Sequence, residues 1–310
     1  MIITVTLNPA VDKTVEINNF TSNSVNRVSS LRLDAGGKGI NVSKVILSLG
    51  GKSKALGLLA GKAGMFIKNY LDEIGIINDF VFVKGETRTN LKIVDPLQHT
   101  NTDINEQGPD ITPEDMEKMD HHISQAMDET SVIVFSGSVP PNVGQDIYRK
   151  WIEQAKNKGA KTILDADGEL MQRGIEAGPY LIKPNIHELE RLLARKIMNI
   201  TEAVECSRLI MKKYGIEIVA VSMGEKGALF VNKEVTIFAQ GLTVDVKSTV
   251  GAGDSMVAAL AYAIDEGYAF EKAITLAVAA GTANVMTCGT EPSSLDVIKD
   301  LEKQVQWEYL

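Results

Sequence analysis

A glycine-rich turn followed by an aspartate lies in the segment "STVGAGDSMVAAL", residues 248–260. Apolar residues recur at helical spacing after Asp254, so the segment predicts a helix that begins close to Gly251–Gly253. The first N–H groups of a helix lack internal partners and lie at the positive end of its dipole. This turn could therefore cradle phosphate oxygens while Asp254 points to the same place. An ordinary helix start fits equally well, because an acid in the first turn is stabilising by about 0.3–1 kcal/mol.

A second glycine-rich turn lies at residues 34–51, "DAGGKGINVSKVILSLGG", and also opens an amphipathic helix. Gly36 and Gly37 expose backbone there, while Lys38 and Asn41 supply polar groups. Neither turn is a Walker A loop, and no G-x-G-x-x-G fingerprint occurs in the chain. Two glycine-rich helix starts, one with a lysine and one with an aspartate, suggest two ligands that face each other.

The elements around these turns predict an α/β fold. Apolar β-type runs alternate with helical patterns such as residues 142–158 and 201–214, which indicates a mostly parallel sheet with helices on both faces. The predicted strands are "IITVTL", "KALGLLA", "VIVFSG", "KTILDA", "YLIKPN" and "IVAVSMG". Ligands on such sheets bind beyond the carboxyl ends of the strands. The polar clusters expected at that edge are residues 8–12, 136–138, 165–167, 183–185 and 222–224.

Two stretches break the alternation of strands and helices. Residues 13–34 and 88–105 have the pattern of alternating strands with polar neighbours. We interpret them as one small sheet that projects from a single domain, residues 1–310, and acts as a lid or a dimer contact. Two ordinary surface hairpins fit the same pattern.

Composition and charge limit the classes of function. The 310 residues are 44% hydrophobic and 23% charged, which is typical of a soluble globular protein. A net charge of −8 argues against a nucleic-acid partner, so an anionic ligand would need locally concentrated positive charge. The two cysteines, Cys206 and Cys288, form no disulfide framework, which fits a reducing cytoplasm. We expect no signal peptide and no membrane span, since the longest uncharged stretch, residues 273–289, is short and polar.

The motifs together resemble those of the ribokinase-like sugar kinases, phosphofructokinase B group. The two glycine-rich segments look like the two signatures of that family. The likeness continues through "TLNPAVD", "VIVFSGSVPP", "LIKPNIHELE", "VSMGEKGALF" and "AAGTANV", in the family's order and over nearly the whole chain. It implies a ribokinase-like three-layer sandwich, ATP and Mg²⁺ as cofactors, and a homodimer that pairs through the lid.

The resemblance also implies a reaction and a catalytic group. The expected activity is phosphoryl transfer from ATP to the 6-hydroxyl of fructose 1-phosphate. Tagatose 6-phosphate and fructose 6-phosphate are alternative acceptors, and a non-catalytic sugar-phosphate sensor is an alternative of another class. Asp254 would be the catalytic base, and the N–H groups of Gly251, Ala252, Gly253 and Asp254 would surround the transferred phosphoryl group.

The acceptor site is expected to hold a ketohexose phosphate. Arg27 and Arg88 lie in the predicted lid, and a guanidinium suits a bidentate grip on phosphate. Each arginine taken alone reads as a solvated surface charge. The residues that the resemblance assigns to the sugar phosphate are Asp12, Arg27, Gly36, Gly37, Lys38, Asn41, Arg88 and Ser138.

The nucleotide site is expected on the other side of the transferred phosphoryl group. The residues that the resemblance assigns to ATP are Lys183, Asn185, Ser222, Gly224, Gly227, Thr249 and Asn284. Asn185 and Glu188 would lie near Mg²⁺ through water, although the same pair also fits a helix capping box. Lys247 and Ser248 replace an Asp and a Thr that many family members have. The resemblance therefore does not decide whether a K⁺ site lies beside this loop.

Overall fold

The computed structural model describes residues 1–310, in fourteen strands and ten α-helices. The strands are β1 (Ile2–Thr6), β2 (Ala10–Glu16), β3 (Ser30–Gly36), β4 (Ser53–Ala60), β5 (Ile77–Val83), β6 (Arg88–Asp95), β7 (Thr100–Asn105), β8 (Val132–Ser136), β9 (Lys161–Asp165), β10 (Leu181–Ile182), β11 (Ile218–Ser222), β12 (Gly227–Val231), β13 (Thr236–Gln240) and β14 (Trp307–Tyr309). The helices are α1 (Lys38–Ser48), α2 (Gly61–Glu73), α3 (Pro113–Ala126), α4 (Ile147–Asn157), α5 (Gly168–Gly174), α6 (Ile186–Leu193), α7 (Ile200–Tyr214), α8 (Ala252–Asp265), α9 (Phe270–Val285) and α10 (Leu295–Glu302).

The main sheet has ten strands in the order β14-β13-β12-β11-β10-β9-β8-β1-β4-β5. The strands from β11 to β5 in this order are parallel, and β12, β13 and β14 extend the sheet antiparallel. Buried apolar clusters lie on both faces, one against α3 to α7 and one against α1, α8, α9 and α10. Burial on both faces explains why strands such as β1 read as continuous apolar runs. The predicted three-layer α/β fold is confirmed.

One predicted strand is much shorter in the structure. The run "YLIKPN" contributes only Leu181–Ile182 to the sheet. Pro184 follows and has no N–H to donate, so the ladder is interrupted there and resumes only as a single bridge between Asn185 and Ser222. The polar residues beyond Ile182 are thereby left at the edge of the sheet as a loop.

The two stretches that broke the alternation form one small sheet, in the order β3-β2-β6-β7, which we call the lid sheet. β2 pairs antiparallel with β3 and parallel with β6, so the sheet joins two distant parts of the chain. The alternative of two separate surface hairpins is therefore wrong. The first predicted stretch, residues 13–34, is too short at both ends, because β2 begins at Ala10 and β3 ends at Gly36.

The predicted helix starts at both glycine-rich turns are present. Gly251 precedes α8 with φ 85°, and Gly37 precedes α1 with φ 120°, a region that favours glycine. A Cβ on Gly37 would lie 2.8 Å from Thr6 Cγ2, so glycine also lets α1 begin against the end of β1. Both helices thus begin at the carboxyl edge of the parallel strands. α9, which contains most of the long uncharged stretch, is buried, and none of the helices is long and apolar enough to cross a bilayer.

Candidate active site

A cleft of about 1080 Å³ lies at the carboxyl edge of the parallel strands, between the lid sheet and the starts of α1 and α8. A smaller pocket of about 350 Å³ shares four residues with it, Gly37, Lys38, Arg88 and Asn90. The two spaces adjoin beneath the lid sheet. Their position agrees with the rule that ligands of such sheets bind beyond the strand ends.

The start of α8 presents unpaired donors to this cleft. The backbone N–H groups of Ala252, Gly253 and Asp254 donate to no acceptor in the chain, and no side chain caps the helix. A Cβ on Gly253 would lie 3.2 Å from Lys183 Nζ, so this glycine lets the ammonium group lie beside the first turn. Free N–H groups at a positive helix end, next to an ammonium group, form an anion-binding site.

Asp254 is 7% exposed and lies in the first turn of α8. Its Oδ2 accepts a hydrogen bond of 2.8 Å from Asn41 Nδ2, which fixes the carboxylate beside the start of α1. Burial raises the pKa of Asp254, and the nearby Asp165 adds to this increase against the opposing effect of Lys38. A carboxylate that is held in place and has a raised pKa is suited to accept a proton near neutral pH.

Asp165, at the end of β9, is a site residue to which the sequence analysis gave no role, although it lies in the predicted 165–167 cluster. Its carboxylate is 1% exposed and lies between two ammonium groups, 3.2 Å from Lys38 Nζ and 3.5 Å from Lys183 Nζ. Burial acts to raise the pKa of Asp165, but Lys183 and Lys38 together lower it. The pKa of Lys38 is raised although burial opposes this, chiefly by Asp165 and then by Asp254. Asp165 therefore stays ionised and holds both cations at the centre of the cleft.

Asp12 projects from the lid sheet toward the same cleft. Asn90, on the neighbouring strand β6, donates from Nδ2 to Asp12 Oδ1 over 2.9 Å. A Cβ on Gly36 would overlap the Asp12 carboxylate, so glycine is required for this approach. Burial raises the pKa of Asp12, and the hydrogen bond from Asn90 partly offsets the increase. Asn90 is a second residue without an assigned role, because only the strand register brings it beside Asp12.

The two predicted phosphate-binding arginines lie in different surroundings. Arg88 lines both the cleft and the smaller pocket, and its Nε and Nη2 donate to the carbonyl oxygen of Asn8 over 3.2 and 3.0 Å. Arg27 lies on the exposed connection between β2 and β3 and lines neither space. Within one chain, the structure therefore brings Arg88 to the site and leaves Arg27 outside it.

Most of the other predicted site residues line the two spaces. Those in the large cleft are Gly37, Lys38, Asn41, Lys183, Asn185, Glu188, Ser222, Gly224, Gly227, Thr249, Gly251, Ala252 and Gly253, and Ser138 lines the smaller pocket. Asn284 does not line the cleft. It is buried within α9, and its Oδ1 would lie 3.1 Å from a Cβ on Gly251, so it packs behind the turn.

Apolar side chains form one wall of the cleft that the sequence analysis did not identify. They are Leu242, Val244 and Val246 after β13, with Met256 on α8 and Val278 and Val285 on α9. Leu242, Val244 and Val246 alternate with polar residues as in a strand, but the segment after β13 forms no strand, so the pattern does not indicate that these side chains line a cleft. An apolar wall opposite polar groups is typical of sites that bind an aromatic ring.

Asn185 and Glu188 form a complete capping box at the start of α6. Asn185 Oδ1 accepts from the Glu188 N–H over 2.9 Å, and Glu188 Oε2 accepts from the Asn185 N–H over 2.8 Å. Of the two roles considered for this pair, a helix cap and a contact to Mg²⁺ through water, the cap is the one that the contacts within the chain form. No group of three or more His, Cys, Asp or Glu side chains is arranged to hold a metal ion.

Buried polar atoms without a hydrogen-bond partner concentrate where the cleft adjoins the smaller pocket. Eight buried side-chain nitrogen or oxygen atoms have no hydrogen-bond partner, and five of them belong to residues that line the cleft or the smaller pocket: Thr6, Asn8, Asn41, Asn90 and Asp165. Asp165 Oδ1 lies 3.5 Å from Lys183 Nζ, which leaves four atoms with neither a hydrogen bond nor an ion pair. Buried polar groups in proteins are nearly always hydrogen-bonded. Four such atoms around one space therefore indicate a ligand rich in hydroxyl groups.

Comparison with known proteins places this geometry in a family. The model of the pfkB family carbohydrate kinases matches residues 5–296. The 1-phosphofructokinase of Borreliella burgdorferi is 38% identical over 92% of this chain and 92% of its own length, and that of Bacillus subtilis is 38% identical over 94% and 95%. The crystal structure of phosphofructokinase-2 from Escherichia coli in complex with potassium superposes with a TM-score of 0.93, at 28% identity and 98% coverage of both chains.

Proposed function

The chain belongs to the pfkB family of carbohydrate kinases, and on that basis we propose that it transfers the γ-phosphoryl group of ATP to the 6-hydroxyl of fructose 1-phosphate. The products are fructose 1,6-bisphosphate and ADP. The observation that carries the proposal is the buried carboxylate of Asp254 beside three free helix N–H groups, in a cleft that continues into a cationic pocket.

The reaction follows from that geometry. The sugar oxygen attacks the γ-phosphorus while the bond to the β–γ bridging oxygen breaks, and Asp254 takes the hydroxyl proton. Phosphoryl transfer has a loose transition state, so catalysis depends mainly on positioning and on stabilising negative charge. The N–H groups of Ala252, Gly253 and Asp254 supply that stabilisation, with Lys183 beside them. Removing one such donor from a comparable site costs about 2.7–4 kcal/mol.

The residues present suit Mg²⁺ that is carried by the nucleotide. Mg²⁺ in kinases usually binds one or two carboxylates together with phosphate oxygens and water. Glu188, Asp165 and Glu225 are carboxylates that line the nucleotide side of the cleft, and Asn185 lies beside Glu188. Asn185 and Glu188 would hold the ion through water, and the ion would offset charge on the phosphates.

A potassium requirement is a separate part of the proposal. The N–H groups of Lys247 and Ser248 both donate to the carbonyl oxygen of Val285, over 2.8 and 3.2 Å, which closes this loop against α9. The carbonyl oxygens of Ser248 and Val250 remain as candidate ligands. Activity in K⁺ compared with choline at equal ionic strength tests whether this loop uses the cation.

The proposed acceptor is a sugar monophosphate. Arg88 and Lys38 place positive charge around the smaller pocket, although the chain as a whole carries −8. A guanidinium and an ammonium group in one polar pocket suit a phosphate group. Asp12 and Asn90 line the adjoining large cleft and are suited to bind sugar hydroxyls.

Coupled ADP detection with a panel of ketohexose phosphates tests the substrate. We expect the highest kcat/KM with fructose 1-phosphate, compared with fructose 6-phosphate, tagatose 6-phosphate and free fructose. An equal kcat/KM on tagatose 6-phosphate would remove the substrate choice and leave the kinase chemistry. Thermal stabilisation by a sugar phosphate without any ADP would instead support a non-catalytic sensor.

We further propose a cytoplasmic homodimer that forms through the lid sheet. The strand register places Leu33, Lys13, Leu91 and Ile104 in one row across the sheet, on the face opposite Asp12. Leu31 lies on the same face, and Leu31, Leu33 and Ile104 are 54%, 46% and 52% exposed. A second lid sheet would cover these side chains, and light scattering at several protein concentrations tests the assembly.

A further inference from the structure

Lys44, on α1, is a buried lysine that takes no part in the steps above. It is 3% exposed and does not line the cleft. Its Nζ donates to the carbonyl oxygen of Ala35 over 2.9 Å and contacts Thr290 Oγ1 at 3.3 Å. Ala35 is on β3, directly before the Gly36–Gly37 turn, and Thr290 lines the cleft beyond α9. One ammonium group thus connects the lid sheet, α1 and the segment after α9.

The charges around Lys44 come from three other elements. Asp34 on β3, Asp12 on β2 and Asp254 on α8 favour its charged form, and Arg32 on β3 opposes it. Burial is the largest effect and lowers the pKa of Lys44 to about 8, so the group is mostly protonated at pH 7. The attraction is mutual for Asp12, because Lys44 in turn lowers the pKa of that carboxyl group.

The burial of this charge requires an explanation beyond packing. A buried ammonium group costs several kcal/mol in desolvation, and an apolar side chain of similar length would avoid that cost. Ala35 and Thr290 satisfy two of its three protons, so the site is built to hold a cation. The turn that follows Ala35 lies against the proposed sugar ligand, because a Cβ on Gly36 would overlap the Asp12 carboxylate.

We propose that Lys44 is a positioning residue of the phosphoryl transfer: by binding the Ala35 carbonyl oxygen and Thr290, its ammonium group fixes the Gly36–Gly37 turn against which the Asp12 carboxylate lies. It acts through these groups and does not touch the substrate. The inference rests on the proposed kinase function. The other charged groups that face Asp254 are Asp165, Lys38 and Lys183, and those that face Asp12 are Asp34 and Arg88.

The test compares Lys44→Gln with Lys44→Arg, and uses Lys54→Gln as a matched control. Glutamine retains a donor for Ala35 but lacks the charge, whereas arginine retains the charge. Lys54 pairs with Asp79 over 2.9 Å and lines neither the cleft nor the smaller pocket. Its replacement therefore removes one paired lysine away from the site. The measurements are kcat and the KM values for fructose 1-phosphate and for ATP. A second measurement follows the carboxyl ¹³C shift of Asp12 in an NMR titration.

In Lys44→Gln, we expect the KM for fructose 1-phosphate to rise at least about fivefold while the KM for ATP stays near the parent value, and the Asp12 carboxyl to titrate at a higher pH. Lys44→Arg should keep the parent titration of Asp12, and Lys54→Gln should keep both the parent KM and the parent titration. An unchanged KM for the sugar phosphate and an unmoved Asp12 titration in Lys44→Gln, even with a lower Tm, would overturn the proposal and leave Lys44 a structural residue.

If Lys44→Gln does not fold, Lys44→Arg decides the question. An arginine variant with the parent Asp12 titration but a KM for the sugar phosphate raised at least about fivefold supports the positioning role, because the longer group displaces the turn. An arginine variant with parent kinetics throughout overturns it. A parent chain that makes no ADP with any ketohexose phosphate contradicts the proposed function instead, and the NMR titration still tests Lys44.

Discussion

Replacing Asp254 with asparagine should separate catalysis from stability. The amide keeps the shape of the carboxylate and retains an oxygen that can accept from Asn41 Nδ2, now 2.8 Å from Asp254 Oδ2. It cannot accept the hydroxyl proton. Loss of a general base typically costs 10²–10⁴-fold, so we expect kcat to fall by about 10³-fold, or about 4 kcal/mol in activation free energy. The KM for ATP should change by less than about threefold, because the free N–H groups remain.

The stability of the same variant follows from the raised pKa of Asp254. A carboxyl group whose pKa is raised in the folded state stabilises the fold while it is protonated, below its unfolded pKa. That contribution is lost as the pH rises through the folded pKa. At pH 7 the ionised side chain therefore opposes folding, and the neutral amide should leave Tm unchanged or raise it.

The assay is steady-state ADP formation together with thermal unfolding at pH 7. Asp296→Asn is the matched control, because Asp296 is also an aspartate in the first turn of a helix but is exposed on α10. It should leave kcat unchanged. An Asp254→Asn variant with kcat within about tenfold of the parent would refute the assignment of the base. A Tm that falls with kcat would show that the loss of activity reflects misfolding.

Four further predictions concern the same site and the lid sheet. The value of kcat/KM should fall as the pH decreases through a pKa above the ordinary aspartate value of roughly 3.9, since the Asp254 carboxylate must be ionised to act; a profile that is flat down to that value contradicts this. Arg88→Ala should raise the KM for the sugar phosphate at least about tenfold more than the KM for ATP, and equal increases would exclude a phosphate contact. Asp165→Asn leaves two lysines without their shared carboxylate and should lower the free energy of unfolding by about 3–5 kcal/mol in chemical denaturation, whereas an unchanged midpoint would count against the pairing. Leu31→Asp should give monomers in light scattering, and an intact dimer would exclude this face as the interface.

The glycine turns could be predicted from the sequence because their signals are local. Gly251 and Asp254 are three residues apart, and the helix that follows shows its apolar face within a few turns. The same holds for the capping box at Asn185 and Glu188, which the spacing predicts and the hydrogen bonds confirm. For that pair, local spacing could not separate a cap from a metal contact.

The pairing of distant charges could not be predicted in the same way. Asp165 contacts Lys38 across 127 positions, and Asn90 contacts Asp12 across 78. The cluster at residues 165–167 indicated the correct edge of the sheet, but only the register decides which carboxylate lies between the two lysines. The resemblance assigns Arg27 to the site, although it lies outside the cleft of its own chain. Its position in a predicted lid strand does not show which way its side chain faces.

The parallel pairing of β2 with β6 also has a consequence for the order in which the chain folds. It aligns Ala10 with Arg88 and Glu16 with Val94, so the chain that carries β3, α1, β4, α2 and β5 must close as a loop before β2 and β6 can meet. Pairing over such a separation is slow, because a long loop must close before the first contact forms. The edge strand β7 of the lid sheet is wholly exposed and adds little burial in return. We therefore expect the lid sheet, and the pocket beneath it, to form late during folding and to open early when the chain is destabilised.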